Sequence, residues 1–447
     1  MARAKTAYVC TDCGAHSVKW QGQCPECAAW NTFTQTTVAA GQAERQEGVA
    51  PSLLGSLEDD LGVRHPCGFA EFDRVLGGGL VPGSVVLLGG DPGVGKSTLL
   101  QQVAALLPED LNILYTSGEE SLRQIGQRSK RLGLDRPRLA LLAETSLDNI
   151  LEQAAAGSAA VLVIDSIQTL ASADLPSAPG SVAQLRECVG RIVQFAKQRE
   201  VAAFLIGHVT KEGAIAGPRV VEHMVDTVLY FESDPASRYS IVRAVKNRFG
   251  ASSELGVFAM TEAGFVEVRN PSAIFLSRDA ESISGSLVSV AWEGSRPLLV
   301  EIQALVAEGN SNYAKRLAQG VDQNRLSLLI AVLQRHGGIS LTSDDVFVNV
   351  VGGLRIGETA ADLPTLLAIV SSLRDRPCRT GLIGFGEVGL AGEVRPVRFG
   401  TERIAEAAKQ GFSLAIVPRA NVPKQKPGGI EIIGIRKLTE ALDAAFD

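Results

Sequence analysis

Gly90-Asp91-Pro92-Gly93-Val94-Gly95-Lys96-Ser97 constrains this chain more than any other stretch. It fits G-x-x-x-x-G-K-[ST], and its flanks supply the context that pattern needs. The apolar run Val85-Val86-Leu87-Leu88 ahead of it reads as a buried strand, and Thr98 to Leu107 behind it reads as a helix. Strand, glycine loop and helix in that order turn backbone N–H groups and a positive helix end toward a phosphate chain. Lys96 suits the β- and γ-phosphates, and the Ser97 hydroxyl suits a magnesium ion. Gly90 to Ser97, with Thr98, are therefore the candidate set for ATP. A chance glycine turn would not arrive with all three pieces.

At 447 residues the chain has room for two or three domains. No apolar run is long enough to cross a bilayer, and Met1-Ala2-Arg3-Ala4-Lys5 leads into a cysteine motif and not an apolar signal, so a cytoplasmic protein with no membrane contact is expected. A net charge of −6 argues against a positive coat but leaves room for one local basic channel. Cys67, Cys188 and Cys378 read as small buried residues in a reducing compartment.

The other four cysteines are paired. Cys10-x2-Cys13 and Cys24-x2-Cys27 are two tight knuckles, each aiming two thiolates at one point, and together they close a tetrahedral zinc site. Two disulfides are the competing reading, and the intracellular look of the rest speaks for metal. Four sulfur ligands leave no open position, so the zinc is structural. Residues 1–33 form this module, with Trp20 and Trp30 expected to cover its small core, stacking on bases or a partner being the alternative, and residues 34–60 read as a flexible linker.

From 61 to 271 strands and helices alternate, an α/β pattern. Asn112 to Tyr115, Val161 to Ile164 and Ala203 to Gly207 read as strands, leading into Glu119-Glu120, Asp165 and His208 respectively. Functional groups gather at such strand ends. Asp165 fits a carboxylate that holds magnesium together with Ser97, and Glu119 or Glu120 fits the base that orients the attacking water. His208 is either a γ-phosphate sensor or a structural histidine. Ala171 to Val182 and Val209 to Val220 read as mobile loops; in a ring, Lys211 and Arg219 of the second would face a channel and attract a phosphate backbone. Ser240 to Val245 reads as a strand ending in Lys246-Asn247-Arg248-Phe249-Gly250. Lys246 and Arg248 suit a γ-phosphate presented by a neighbouring subunit, or a DNA backbone, or are a solvated basic strand end.

Val161 to Leu170, Gly207-His208-Val209-Thr210-Lys211-Glu212-Gly213, Lys246 to Gly250 and the four-cysteine module together resemble the bacterial RadA (Sms) family, over essentially the whole chain. The resemblance implies a RecA-like P-loop ATPase core, close in architecture to ring helicases of the DnaB type. It implies a homo-hexamer acting on single-stranded and branched DNA, beside RecA, in branch migration. Residues 272–447 resemble the proteolytic domain of Lon, an α+β fold. Where Lon carries its serine this chain has Ala360-Ala361, and where Lon carries its lysine it reads near Thr401, with Lys409 too far along to substitute; proteolysis is not expected. In Gly357-Glu358-Thr359, Thr stands where the family pattern usually has Pro. Lys315, Arg316, Arg325, Arg395 and Arg398 are candidate phosphate contacts or plain solvated charges. Three functions follow in order: a DNA-dependent ATPase motor, an ATP-driven switch or scaffold without translocation, and an ATP-dependent protease.

Overall fold

The computed structural model describes residues 5–10, 16–25, 28, 30–38, 63–208, 221–233, 239–268, 270–276, 283–309, 314–425 and 427–446. Lys211, Arg219, Cys13 and Cys27 lie outside them, as does nearly all of the 34–60 stretch. The chain divides into two compact units, residues 1–268 and 269–447.

At the N-terminus β1 (Lys5–Cys10) pairs antiparallel with β2 (His16–Ser17) and with β3 (Phe33–Val38). Strand β3 corrects the expected linker boundary. Phe33-Thr34-Gln35-Thr36-Thr37-Val38 is rich in β-branched residues, and a free partner edge on β1 outweighs its polarity. Cys10 and Cys24 are buried against Phe33. Trp20 and Trp30 do not cover this core: they are 55% and 69% exposed and flank Gly22.

The second sheet has nine strands in the order β12-β11-β10-β9-β4-β8-β7-β5-β6. They are β4 (Val85–Gly90), β5 (Ile113–Ser117), β6 (Leu139–Ala143), β7 (Val161–Asp165), β8 (Ala202–His208), β9 (Thr227–Ser233), β10 (Tyr239–Asn247), β11 (Leu255–Thr261) and β12 (Gly264–Glu267). Strands β4 to β9 run parallel, and β10, β11 and β12 close one side antiparallel. Helices α1 (Ala70–Leu76), α2 (Lys96–Leu106) and α3 (Leu122–Arg131) cover one face. Helices α4 (Leu147–Ala156) and α5 (Val182–Arg199) cover the other. Strand β4 explains why the centre is an unbroken apolar run: Val86 and Leu88 enter one core, Val85 and Leu87 the other.

The expected mobile loop at Ala171 to Val182 is irregular but pinned. Buried Gln184 donates to the carbonyls of Ser172, Leu175 and Ser177 and accepts from the Ser172 N–H.

The unit 269–447 carries a seven-stranded mixed sheet, β15-β16-β14-β13-β17-β20-β21. Its strands are β13 (Ser286–Glu293), β14 (Arg296–Glu308), β15 (Arg316–Gln319), β16 (Asp344–Val350), β17 (Leu382–Gly384), β20 (Leu414–Pro418) and β21 (Glu431–Ile435); β18 (Glu387–Val388) and β19 (Val394–Arg395) form a separate pair. The hairpin expected around Gly294-Ser295 is β13–β14. Helices α6 (Gln323–Gly337), α7 (Asp362–Leu373), α8 (Gly400–Lys409) and α9 (Leu438–Phe446) complete it, with α7 buried along β13 and β14. No helix among the described residues is long and apolar enough to cross a membrane.

Candidate nucleotide site

The loop between β4 and α2 has no room for side chains at two of its glycines. A Cβ on Gly90 (φ 153°) would lie 2.5 Å from the Phe231 carbonyl oxygen. A Cβ on Gly95 (φ 104°), just before α2, would lie 2.7 Å from the Phe265 ring. Gly95 therefore lets the β11–β12 hairpin press on the loop. Helix α2 starts at Lys96, two residues earlier than the sequence suggests, so Ser97 and Thr98 sit in its first turn.

Lys96 is buried, 3% exposed. Its ammonium donates to the carbonyls of Gly90 (2.7 Å) and Asp91 (2.8 Å) and lies 3.3 Å from His208 Nδ1. Burial lowers its pKa to about 8, against the pull of the carboxylates of Asp165, Glu119 and Asp91. Asp165, at the end of β7, is 2% exposed. Burial pushes its carboxyl up, while hydrogen bonds from Ser97 and Tyr115 hold it down. The Tyr115 hydroxyl donates to Asp165 Oδ2 at 2.9 Å from the centre of β5.

The two glutamates after β5 part company. Glu119 accepts from the Ser166 hydroxyl and lies 3.1 Å from His208 Nε2. Glu120 turns to α3, where Arg128 grips it with both terminal nitrogens at 2.9 and 2.6 Å. Arg128 is itself fixed by Gln101 of α2 at 2.6 Å. So Lys96, His208, Glu119 and Ser166 form one polar chain across the ends of β4, β8, β5 and β7. Beside α2, a cavity of about 720 Å³ is lined by Thr98, Arg131, Leu132 and Met260 to Gly264.

Lys246 and Arg248 stand at the other edge of the sheet. Asn247 pairs with Thr227, and Thr227 pairs with Val86, near the start of β4. The Arg248 N–H donates to the Asp226 carbonyl and the Asp226 N–H to the Val85 carbonyl. Arg248 is thus level with Val85, five residues and roughly 16 Å of strand before Gly90. A bulge between Ala244 and Lys246 re-aims the strand end. The Lys246 ammonium then donates to the carbonyls of Glu222, His223 and Val225 at 2.9, 3.1 and 2.7 Å. Arg248 reaches the Asp226 carboxylate at 3.1 Å.

In the N-terminal module the Ala28 N–H donates to the Cys24 carbonyl at 2.8 Å. Cys10 and Cys24 are both buried.

Three family models match the chain: an AAA domain at residues 66–214, a rubredoxin metal binding domain at 8–35, and subunit ChlI of Mg-chelatase at 322–421. The chain is 53% identical to the DNA repair protein RadA of Pseudomonas aeruginosa and 54% identical to that of Escherichia coli, covering 100% of both chains in each case. It is 46% identical to the RadA of Bacillus subtilis, over 99% of each chain. It belongs to the bacterial RadA family. Among solved structures, a KaiC-like protein of Pyrococcus horikoshii aligns at 23% identity and a TM-score of 0.39, covering 46% of this chain and 99% of that one.

In this RadA-family chain the C-terminal unit has the ChlI/Lon-like fold, and its Lon-like position is filled differently. Ala360 and Ala361 are buried methyl groups, and Thr401 is exposed. Arg403, fully buried, binds Glu358 through two nitrogens at 2.7 and 2.6 Å and packs against the rings of Trp292 and Phe385. Of the five candidate cations, three are paired within the unit. Arg325 holds Asp362, Arg316 holds the carbonyls of Leu341 and Asp344, and Arg395 holds Glu393.

Sequence reasoning missed Tyr115 and Ser166. Each had a signal: a lone hydroxyl inside the apolar run Ile113-Leu114-Tyr115, and a serine directly after Asp165.

Proposed function

We propose that this RadA-family protein is a DNA-dependent ATPase that processes recombination intermediates, driving branch migration beside RecA as a homo-hexameric ring on single-stranded DNA. One observation carries the reading. Lys96, Asp165 and Glu119 gather at one edge of the sheet, while Lys246 and Arg248 sit at the opposite edge of the same subunit, beyond reach of its own phosphates. In a closed ring each subunit offers its P-loop edge to the next subunit's cation edge.

Within that ring the roles divide. Lys96 is charged below pH 8 and exchanges its two carbonyls for β- and γ-phosphate oxygens. The cavity beside Thr98 takes the nucleoside. Ser97 and Asp165 are the residues that would hold a magnesium ion, which supplies charge neutralisation on the β- and γ-phosphates. Glu119 orients the attacking water and takes its proton, and Glu120, tied to Arg128, does not. His208 joins Lys96 to Glu119 and directly precedes the 209–220 segment, so it reports the γ-phosphate to Lys211 and Arg219 on the DNA backbone. Lys246 and Arg248 of the neighbour stabilise the γ-phosphate as trans cations. Cys10, Cys13, Cys24 and Cys27 would hold a structural zinc that folds the N-terminal module.

The test is the ATPase rate with and without single-stranded and branched DNA, at stated salt. Stimulation that declines with salt is expected, because backbone contacts release counterions. A turnover indifferent to DNA at all salt concentrations overturns the motor in favour of a switch.

A further inference from the structure

The cation edge contains more than the two residues that the sequence motif supplies. Asp226 is 3% exposed, immediately before β9. Its Oδ2 accepts the Val85 N–H at 3.1 Å, which fixes the carboxylate to the start of β4. Its Oδ1 is shared by two cations: Arg248 at 3.1 Å and Lys197, from the last turn of α5, at 3.4 Å. Lys246 lies beside them on the carbonyls of the turn that leads into Asp226. Burial lowers the Lys246 pKa, and Arg248 and Lys197 lower it further, so the three positive charges feel one another.

Among the described residues the charge is not balanced. Three cations face two carboxylates, Asp226 and Glu222, and Glu222 is turned toward the Tyr230 hydroxyl at 2.6 Å. The Lys197 and Arg248 side chains are 49% and 53% exposed. One buried carboxylate oxygen thus holds two half-exposed cations side by side, with donors left over. That arrangement fits a multiply charged phosphate better than a closed ion pair.

We propose that Lys197 is a third cation of the inter-subunit site, touching the phosphates of a nucleoside triphosphate bound by the adjacent copy, and that Asp226 is the positioning residue that aims Lys197 and Arg248. This rests on the trans-site reading above, and it adds α5 to an element set that the Lys246-to-Gly250 motif does not reach.

The experiment uses the full chain in mixed assemblies, purified through two different tags. One partner is Lys96→Ala, which has a dead P-loop and intact cations. The other is Lys197→Gln, Asp226→Asn or Arg248→Ala, each with an intact P-loop. Alone, Lys197→Gln is expected to lower kcat about 10- to 100-fold with little change in nucleotide affinity, and Lys197→Arg to restore most of it. Asp226→Asn keeps an acceptor for the Val85 N–H and is expected to lower kcat at least as far. Mixing with Lys96→Ala should recover turnover for all three, because one interface then joins an intact P-loop to intact cations. If Arg248→Ala recovers and Lys197→Gln does not, or if Lys197→Gln alone turns over like the wild type, Lys197 has no part in the trans site. Full turnover by Asp226→Asn removes its positioning role. If Arg248→Ala itself fails to recover, the trans site is wrong and Lys197 falls with it.

Discussion

Lys96 and Arg403 are both buried cations, at 3% and 0% exposure, and the chain uses them in opposite ways. Arg403 has a permanent and complete set of partners: a bidentate carboxylate, the Arg398 carbonyl at 2.9 Å and two aromatic rings. Lys96 rests on two carbonyls and a histidine, none of which carries a full negative charge. The first arrangement fixes the fold of the C-terminal unit. The second leaves the charge only partly compensated, by the carboxylates of Asp165, Glu119 and Asp91, and in the proposed site a phosphate chain completes it. What separates a structural buried charge from a functional one here is whether its partners cancel it.

Substituting each cation breaks the comparison if both behave alike. Lys96→Ala should abolish nucleotide binding, with hydrolysis falling by about 10³-fold or more, while thermal stability of the free protein holds or rises because an incompletely compensated buried charge is gone. Arg403→Ala should do the reverse. Leaving Glu358 unpaired should destabilise the C-terminal unit by about 3–5 kcal/mol, seen in denaturant melts, with nucleotide affinity of the folded fraction unchanged.

The next contrast lies within the site. Glu119→Gln should cut hydrolysis about 100-fold with nucleotide binding kept, as single-turnover assays would show. Glu120→Gln should cost less than tenfold and instead loosen α3 by about 1 kcal/mol, since its carboxylate belongs to Arg128. Equal kinetic losses would erase the division of labour between the two.

The smallest effect concerns pH. The free Lys96 titrates at about 8, against 10.5 as its ordinary value. Above pH 8 the folded site sheds a proton that the unfolded chain keeps until about 10.5, so this group adds stability as pH rises and loses it as pH falls through 8. Nucleotide must return that proton. Affinity should fall by up to tenfold per pH unit above 8, and calorimetry at pH 8.5 should show proton uptake in buffers of different ionisation heat. Binding heats independent of the buffer would place Lys96 among ordinary lysines.

Legibility in the sequence followed the same divide. The glycine loop and the strand-end placement of Asp165 and Glu119 were readable because strand ends in a parallel sheet collect chemistry, and a local pattern names them. The different partners of Glu119 and Glu120 were not, since they depend on Arg128 reaching back from α3 and on Gln101 holding Arg128. Arg403 was silent for the same reason: its partner Glu358 is 45 residues away. Strand β6, with its mixed burial, and the antiparallel closure by β11 and β12 came from tertiary pairing, not from local periodicity. Trp20 and Trp30 were misplaced because aromatic residues in a small module suggest a core, whereas Cys10, Cys24 and Phe33 fill that space.

The sharpest single measurement is ATPase activity per subunit across a dilution series, with assembly followed in parallel by sedimentation. A site at Lys96 completed by the neighbour's Lys246 and Arg248 requires specific activity to rise with assembly and to fall by about 10³-fold in the dissociated subunit. Constant activity per subunit through dissociation would contradict it.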